Sequence, residues 1–337
     1  MRTSVGWCLL AAFLALSPGC ATPERVAKRI VTAPNLHQHA SSEKWLEPWV
    51  KALWGGTNRF QRLTIPVGPP EAKLDALELP AGDYQIDFDS SVERKANGER
   101  VFWLKALPRT NGPPAQVTER GTIIVLHGYS VQKETMIPWA FVLAEAGYRV
   151  VLLDLRGHGQ STGDTFSCGK YETSDLMQAL DYLTAKGWCD GKVGVLGLSF
   201  GAELGLYWAA RDPRVAAVVA IAPYDQPQEA FQRFAREMKM PVSHKTLQQA
   251  LDLVATQLDL NWTDWSGEAA VRQLKKPVLL IGGGKDTISP PADLEALKRA
   301  APPGTNSLLV PEANHYIVGY CFHEIAGAVK AWFQARL

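Results

Sequence analysis

A serine between two glycines, Gly197-Leu198-Ser199-Phe200-Gly201, directly follows an apolar run at 193–198 and opens a helical pattern at 200–211. A tight turn between strand and helix brings two backbones together, and glycine at both flanks removes the side chains that would clash. The serine hydroxyl then stands exposed beside a helix N-terminus, whose N–H groups can receive a negatively charged oxygen. That placement suits a nucleophile for acyl transfer. A hydroxyl becomes a strong nucleophile only when a base takes its proton, and the base needs an acid to orient it. His315 lies shortly past the apolar run 307–310, and Asp286 lies past the run 278–281 and the glycines at 282–284. Ser199, Asp286 and His315 therefore leave three strand ends that one sheet edge can bring together. His127-Gly128-Tyr129 ends a further run at 122–126. Its placement makes the Tyr129 N–H the partner of the Phe200 N–H in holding an oxyanion. His127 itself reads as a buried residue that fixes this loop.

The elements that must position these groups show as apolar runs at 122–126, 149–153, 193–198, 215–221, 278–281 and 307–310. Helical patterns at 136–146, 171–186, 200–211 and 291–300 lie between most of them. Continuous apolar strands separated by helices require a parallel sheet covered on both faces, so the fold class is α/β, doubly wound and mostly parallel. Residues 84–90 and 101–104 read as two strands of an antiparallel edge, turning at Asn97-Gly98. Residues 224–276 break the rhythm, and Leu247, Leu251, Val254 and Leu258 keep a helical stripe there. An insertion at this point, after the sixth strand, forms a helical cap over the catalytic edge. Phe231, Phe234, Met238 and Trp262 are candidates to line an acyl pocket, or equally to pack the cap, and Trp262 and Trp265 are the first places to expect substrate. Residues 20–83 form an N-terminal segment in which Trp45, Trp49 and Leu53 share one face of a short helix. The hydrolytic domain is then expected over 84–337.

Hydrophobic residues make up 46% of the 337, which excludes disorder for most of the chain. Thirty-five Lys and Arg against 34 Asp and Glu leave a net charge of +1, without the basic excess that nucleic-acid binding requires. No H-E-x-x-H occurs, and His37-Gln38-His39 is too thin a donor set for a metal, so neither metal nor cofactor is expected. Arg2, an apolar run over 5–16 and small residues behind it read as an export signal over 1–19. Gly19-Cys20 resembles the lipobox of bacterial lipoproteins, which implies a lipid on Cys20, a membrane association through that anchor and a place in the cell envelope. Ordinary secretion, with cleavage after Ala21, is the alternative. Cys168, Cys189 and Cys321 remain, and a helix of sixteen residues holds the first two about 24 Å apart, beyond any bridge. Cys168 with Cys321 is the better candidate pair.

The motifs together resemble the α/β-hydrolase superfamily over roughly 84–337. They are His127-Gly128-Tyr129, the Asp154-Leu155-Arg156-Gly157-His158-Gly159-Gln160-Ser161 loop, the glycine-flanked Ser199, and the late Asp286 and His315. The D-x-R-G-H-G-x-S loop and the helical insert resemble the serine aminopeptidase/lysophospholipase-like esterase branch. The resemblance implies that the Asp154 loop is structural and that some members carry the acid after the sixth strand, where Asp225 stands as the alternative acid. Serine rather than aspartate at position 199 speaks against halide or epoxide chemistry. The expected activity is hydrolysis of carboxylic esters through an acyl-enzyme. Acyl transfer to another acceptor, or amide cleavage, uses the same triad, and a non-catalytic envelope-anchored binding protein is the alternative outside enzymes.

Overall fold

The computed structural model describes residues 21–37, 60–94, 100–108, 117–190 and 192–337. The segment read as an export signal, Cys20, the expected Trp45–Trp49–Leu53 stripe and the expected Asn97-Gly98 turn lie outside the described residues. The chain runs through α1 (Pro23–Val31), β1 (Gln61–Val67), β2 (Ala72–Leu79), β3 (Ile86–Arg94) and β4 (Arg100–Pro108). It then alternates as β5 (Gly121–Leu126), α2 (Ile137–Glu145), β6 (Tyr148–Leu153), α3 (Lys170–Ala185), β7 (Val193–Leu198), α4 (Phe200–Arg211) and β8 (Val215–Ile221). Three helices follow, α5 (Pro227–Glu237), α6 (His244–Leu258) and α7 (Gly267–Gln273). The last elements are β9 (Leu279–Gly283), α8 (Pro291–Ala300), β10 (Asn306–Val310) and α9 (Phe322–Gln334).

One eight-stranded sheet has the order β1-β2-β6-β5-β7-β8-β9-β10, parallel from β6 onward, with β1 and β2 antiparallel at one edge. Strands alternate their side chains between two cores, as the two-residue period demands. Ile124 and Leu126 join the core under α1, α3, α4 and α6, while Ile123 and Val125 join the core under α2 and α9. From β5 the chain first goes to β6 on one side and later to β7 on the other. The order reverses there, and such a reversal opens a crevice at the carboxyl ends of the strands.

Two expectations change. The domain begins ahead of residue 84, because β1 and β2 belong to the main sheet, with β2 paired to β6. The antiparallel edge is this pair, and β3–β4 instead form a separate two-stranded sheet. That sheet packs through Phe88, whose ring lies 5.5 Å from Phe322 of α9 and 6.3 Å from Phe141 of α2. Residues 224–276 do carry the helical insertion, and the Leu247, Leu251, Val254 and Leu258 stripe is buried. What it packs on includes α1, whose Val26, Ala27, Ile30 and Val31 are buried in the same core. After α1 the backbone runs beside the loop that follows β6. The Phe166 N–H donates to the Val31 carbonyl at 2.8 Å, and the Asn35 N–H donates to the Gly157 carbonyl at 2.9 Å.

Cys168, Cys189 and Cys321, the three cysteines among the described residues, are free. Cys168 belongs to one core and Cys321 to the other, so the sheet stands between them and the candidate bridge does not form. Among the described residues no helix is long and apolar enough to cross a membrane.

A buried lysine ties the antiparallel edge to the loops of the crevice. Lys133, in the loop after β5, is 1% exposed, and its Nζ lies 2.6 Å from Asp154, 2.8 Å from Asp75 and 3.1 Å from Glu134. Its backbone N–H also donates to Asp154 at 2.8 Å. Burial alone lowers a lysine pKa, but here the Asp154 and Glu134 charges outweigh it and raise it. Lys133→Met leaves fully buried Asp154 without its counter-charge, so unfolding in urea is expected to show a loss of about 3–5 kcal/mol. A loss of about 0.5 kcal/mol, typical of a surface substitution, would refute this role.

Candidate active site

Ser199 sits between β7 and α4 with φ 54° and ψ −115°, a backbone conformation that L side chains rarely adopt. Neighbouring main chain enforces it. A Cβ at Gly201 would stand 2.5 Å from the Leu126 carbonyl oxygen, and one at Gly197 would stand 2.1 Å from that of Gly201. The Ser199 N–H donates to the Ile221 carbonyl of β8 at 2.8 Å, and its own carbonyl accepts from Ala202 and Glu203 in the first turn of α4. The hydroxyl is left to face the crevice.

His315 comes from the loop after β10 and Asp286 from the loop after β9. The two loops run side by side, with the Lys285 N–H donating to the Ala313 carbonyl at 2.9 Å. His315 Nε2 lies 2.9 Å from Ser199 Oγ, and His315 Nδ1 lies 2.8 Å from Asp286 Oδ2. A carboxylate only accepts, so Nδ1 carries the proton and Nε2 is free to take the one on the serine. The other oxygen of Asp286 accepts the N–H groups of Ile288 at 2.8 Å and Ser289 at 2.7 Å. The Asp286 side chain is fully buried and that of His315 is 11% exposed, which strengthens each charge interaction along the row.

The loop at 127–129 lies against the serine, since a Cβ at Gly128 would be 3.6 Å from Ser199 Cβ. Tyr129 and Phe200 thus flank Ser199 from the β5 loop and from α4. His127 is a fixture of this loop, as expected. Its Nδ1–H donates to the Gly128 carbonyl at 2.7 Å, and its Nε2 accepts the Leu155 N–H at 3.0 Å. Complete burial pushes its pKa down to about 4, and that of His158 to about 3. Both rings therefore stay neutral at physiological pH. The loop after β6 is structural too. Asp154 takes Lys133, and Arg156 makes two bonds to Asp175 of α3, at 2.7 and 2.6 Å.

The alternative acid is placed elsewhere. Asp225 Oδ1 accepts the Glu268 N–H at 3.1 Å, and its carbonyl accepts the Gly267 N–H at 2.7 Å. It closes the two ends of the insertion onto each other, while His315 belongs to Asp286. The tryptophans at the end of the insertion also do something different. Trp262 is buried in the core, and Trp265 packs on Tyr207 at 5.3 Å and beneath Arg211 at 4.4 Å. Those partners lie about two to three turns along α4 from Ser199, so these tryptophans pack the insertion rather than the site. Phe231 does reach the site, edge-on to Tyr129 at 6.4 Å. Tyr316, 5.9 Å from the His315 ring, points its hydroxyl at Met238 Sδ, 3.4 Å away. Sequence reasoning missed Glu203, a buried carboxyl one turn past Ser199 that accepts the Tyr224 N–H at 2.9 Å and holds the start of the insertion. Its signal was a single acid in an otherwise apolar helix.

Comparison with solved structures gives the architecture its name. An esterase of Pyrococcus furiosus, Pf2001, superposes with a TM-score of 0.59 over 82% of this chain and 91% of that one, at 17% identity. XC6422 of Xanthomonas campestris, a lidless α/β serine hydrolase, superposes with a TM-score of 0.52 over 83% and 95%, at 18% identity. The chain has the α/β-hydrolase fold. Within it, residues 93–256 match the X-Pro dipeptidyl-peptidase (S15) family. The Bacillus subtilis protein YqkD is 28% identical over 204 residues, which are 59% of this chain and 66% of YqkD.

Two aspartates were candidates for one role, and substitution separates them. Asp286→Asn, which leaves the histidine with the wrong tautomer, is expected to lower kcat about 10⁴-fold. Asp225→Asn is expected to stay within about threefold of wild type, because it touches only the base of the insertion. Equal losses in the two variants would overturn the placement of the acid.

Proposed function

We propose that this α/β-hydrolase is a serine hydrolase of carboxylic esters, in the serine aminopeptidase/lysophospholipase-like branch. The observation that carries the reading is the unbroken row Asp286–His315–Ser199 at 2.8 and 2.9 Å, ending on a hydroxyl that the main chain forces into the crevice. Ser199 Oγ attacks the acyl carbon as its proton passes to His315 Nε2. The tetrahedral oxyanion is held by the N–H groups of Tyr129 and Phe200. Asp286 stabilises the imidazolium, which then gives its proton to the departing alkoxide, and the C–O bond breaks to leave an acyl-enzyme. Water, deprotonated by the same nitrogen, attacks in turn and releases the acid and the free serine.

The match to a dipeptidyl-peptidase family supports a second reading, cleavage of an amide by the same residues. A fluorophosphonate probe should label the wild type and not Ser199→Ala, with kcat in that variant lower by more than about 10⁴-fold. Alongside, kcat/KM for p-nitrophenyl esters of rising chain length should exceed that for an X-Pro anilide. Labelling that survives in Ser199→Ala would remove the triad reading, and preference for the anilide would move the substrate to amides.

Export with a lipid on Cys20 belongs to the same proposal. The helix α1 starts at Pro23, capped by Thr22, so the link from Cys20 to the folded body is only a few residues long. Cys20→Ser should move the protein from the membrane fraction to the soluble fraction with activity on short esters retained; an unchanged distribution would refute the anchor.

A further inference from the structure

The helix α5 touches all three loops of the site. Its Phe231 ring meets Tyr129, its Glu237 accepts the hydroxyl of Thr287 at 2.9 Å, and Met238 just beyond it faces Tyr316. Midway along stands Arg233, with a side chain 20% exposed. Its Nη1 donates to Asp293 Oδ2 at 2.7 Å and to the Ile288 carbonyl at 3.3 Å, while Nη2 meets Glu229 one turn earlier. The Ile288 carbonyl and the Ser289 N–H belong to one peptide unit. That N–H is the 2.7 Å donor to Asp286.

A peptide unit is planar and rigid, so fixing its carbonyl fixes the direction of its N–H. A cation on the carbonyl also polarises the unit and makes the N–H a better donor. The Asp286 carboxylate is then held at one oxygen by this N–H while the other oxygen meets His315.

We infer that Arg233 is a positioning residue for Asp286, acting through the 288–289 peptide and linking the insertion to the catalytic row. The inference rests on the Ser199–His315–Asp286 reading. Asp293 keeps the guanidinium in place and also accepts the Asp225 N–H at 3.2 Å, so the same group that holds the acid is joined to the base of the insertion. Anything that shifts α5, including a substrate pressing on Phe231, is carried to the acid through one rigid plane.

The test is a double-mutant cycle between Arg233→Met and Asp286→Asn. Rates on p-nitrophenyl acetate are divided by the serines that a fluorophosphonate titrates. Misfolded protein then does not count. In the wild-type background Arg233→Met should lower kcat about tenfold and leave KM within about twofold, and in the Asp286→Asn background it should cost almost nothing. Arg233→Lys keeps one donor and the charge against Asp293, and should restore kcat to within about threefold of wild type. It also carries the cycle if the Met variant does not fold, since its smaller loss must likewise vanish beside Asp286→Asn. An unchanged kcat per titrated serine, or the same loss in both backgrounds, overturns the inference. Turnover in Ser199→Ala would overturn the triad instead, so the two failures are distinguishable.

Discussion

The arrangement depends on one close approach, that of the first turn of α4 to the end of β5. Gly201 is so near the Leu126 and His127 carbonyls, 2.5 and 2.6 Å from where a Cβ would be, that no larger residue fits without moving a strand. This contact sets the angle at which the helix leaves the sheet. It holds Ser199 at a positive φ, lays the 127–129 loop beside it and puts the start of α4 at the crevice. Strain of this kind, of order 1–3 kcal/mol, persists only where surrounding structure over-determines it. The surrounding structure here is the six-strand parallel part of the sheet and both cores.

Charge does for the loops what close packing does for the elbow. Lys133 joins the β5 loop to β2 and to the loop after β6, Arg156 joins that loop to α3, and Arg233 joins the insertion to the acid loop. Lys133 and Arg156 hold Asp154 and Asp175 in poorly solvated places, which favours one arrangement because any other leaves a buried charge alone. The loops that carry Tyr129 and Asp286 are therefore tied down beside the site, and the His315 loop is joined to the latter by the Lys285 N–H on the Ala313 carbonyl.

The parallel strands were legible because burial on both faces leaves no room for polar positions, so each shows as a continuous apolar run. Ser199, Asp286 and His315 were legible for a related reason: the loops that carry them leave the same edge. Asp225 stayed open as an alternative acid, since both aspartates follow strands and only the direction of a side chain separates them. β2 escaped because Ala72-Lys73-Leu74-Asp75-Ala76-Leu77-Glu78-Leu79 is made of good helix formers, and pairing with β1 and β6 overrides that preference. Nothing in the sequence marked Lys133, because its partners Asp75 and Asp154 come from two other elements. Trp262 and Trp265 were misplaced because their position near the end of the insertion says nothing about which side of α4 it covers.

The separation of the thiols by the sheet has a consequence for the environment the body can tolerate. Cys168 and Cys321 are buried and walled off from each other, so a change of redox poise does not join these two. Cys189, the more accessible of the three described thiols, follows α3 beside Trp188, whose carbonyl accepts the hydroxyl of Thr122 at the start of β5. That is the amino-terminal edge of the strands. An oxidant joining two copies through Cys189 would link them back to back, with both crevices still open to substrate.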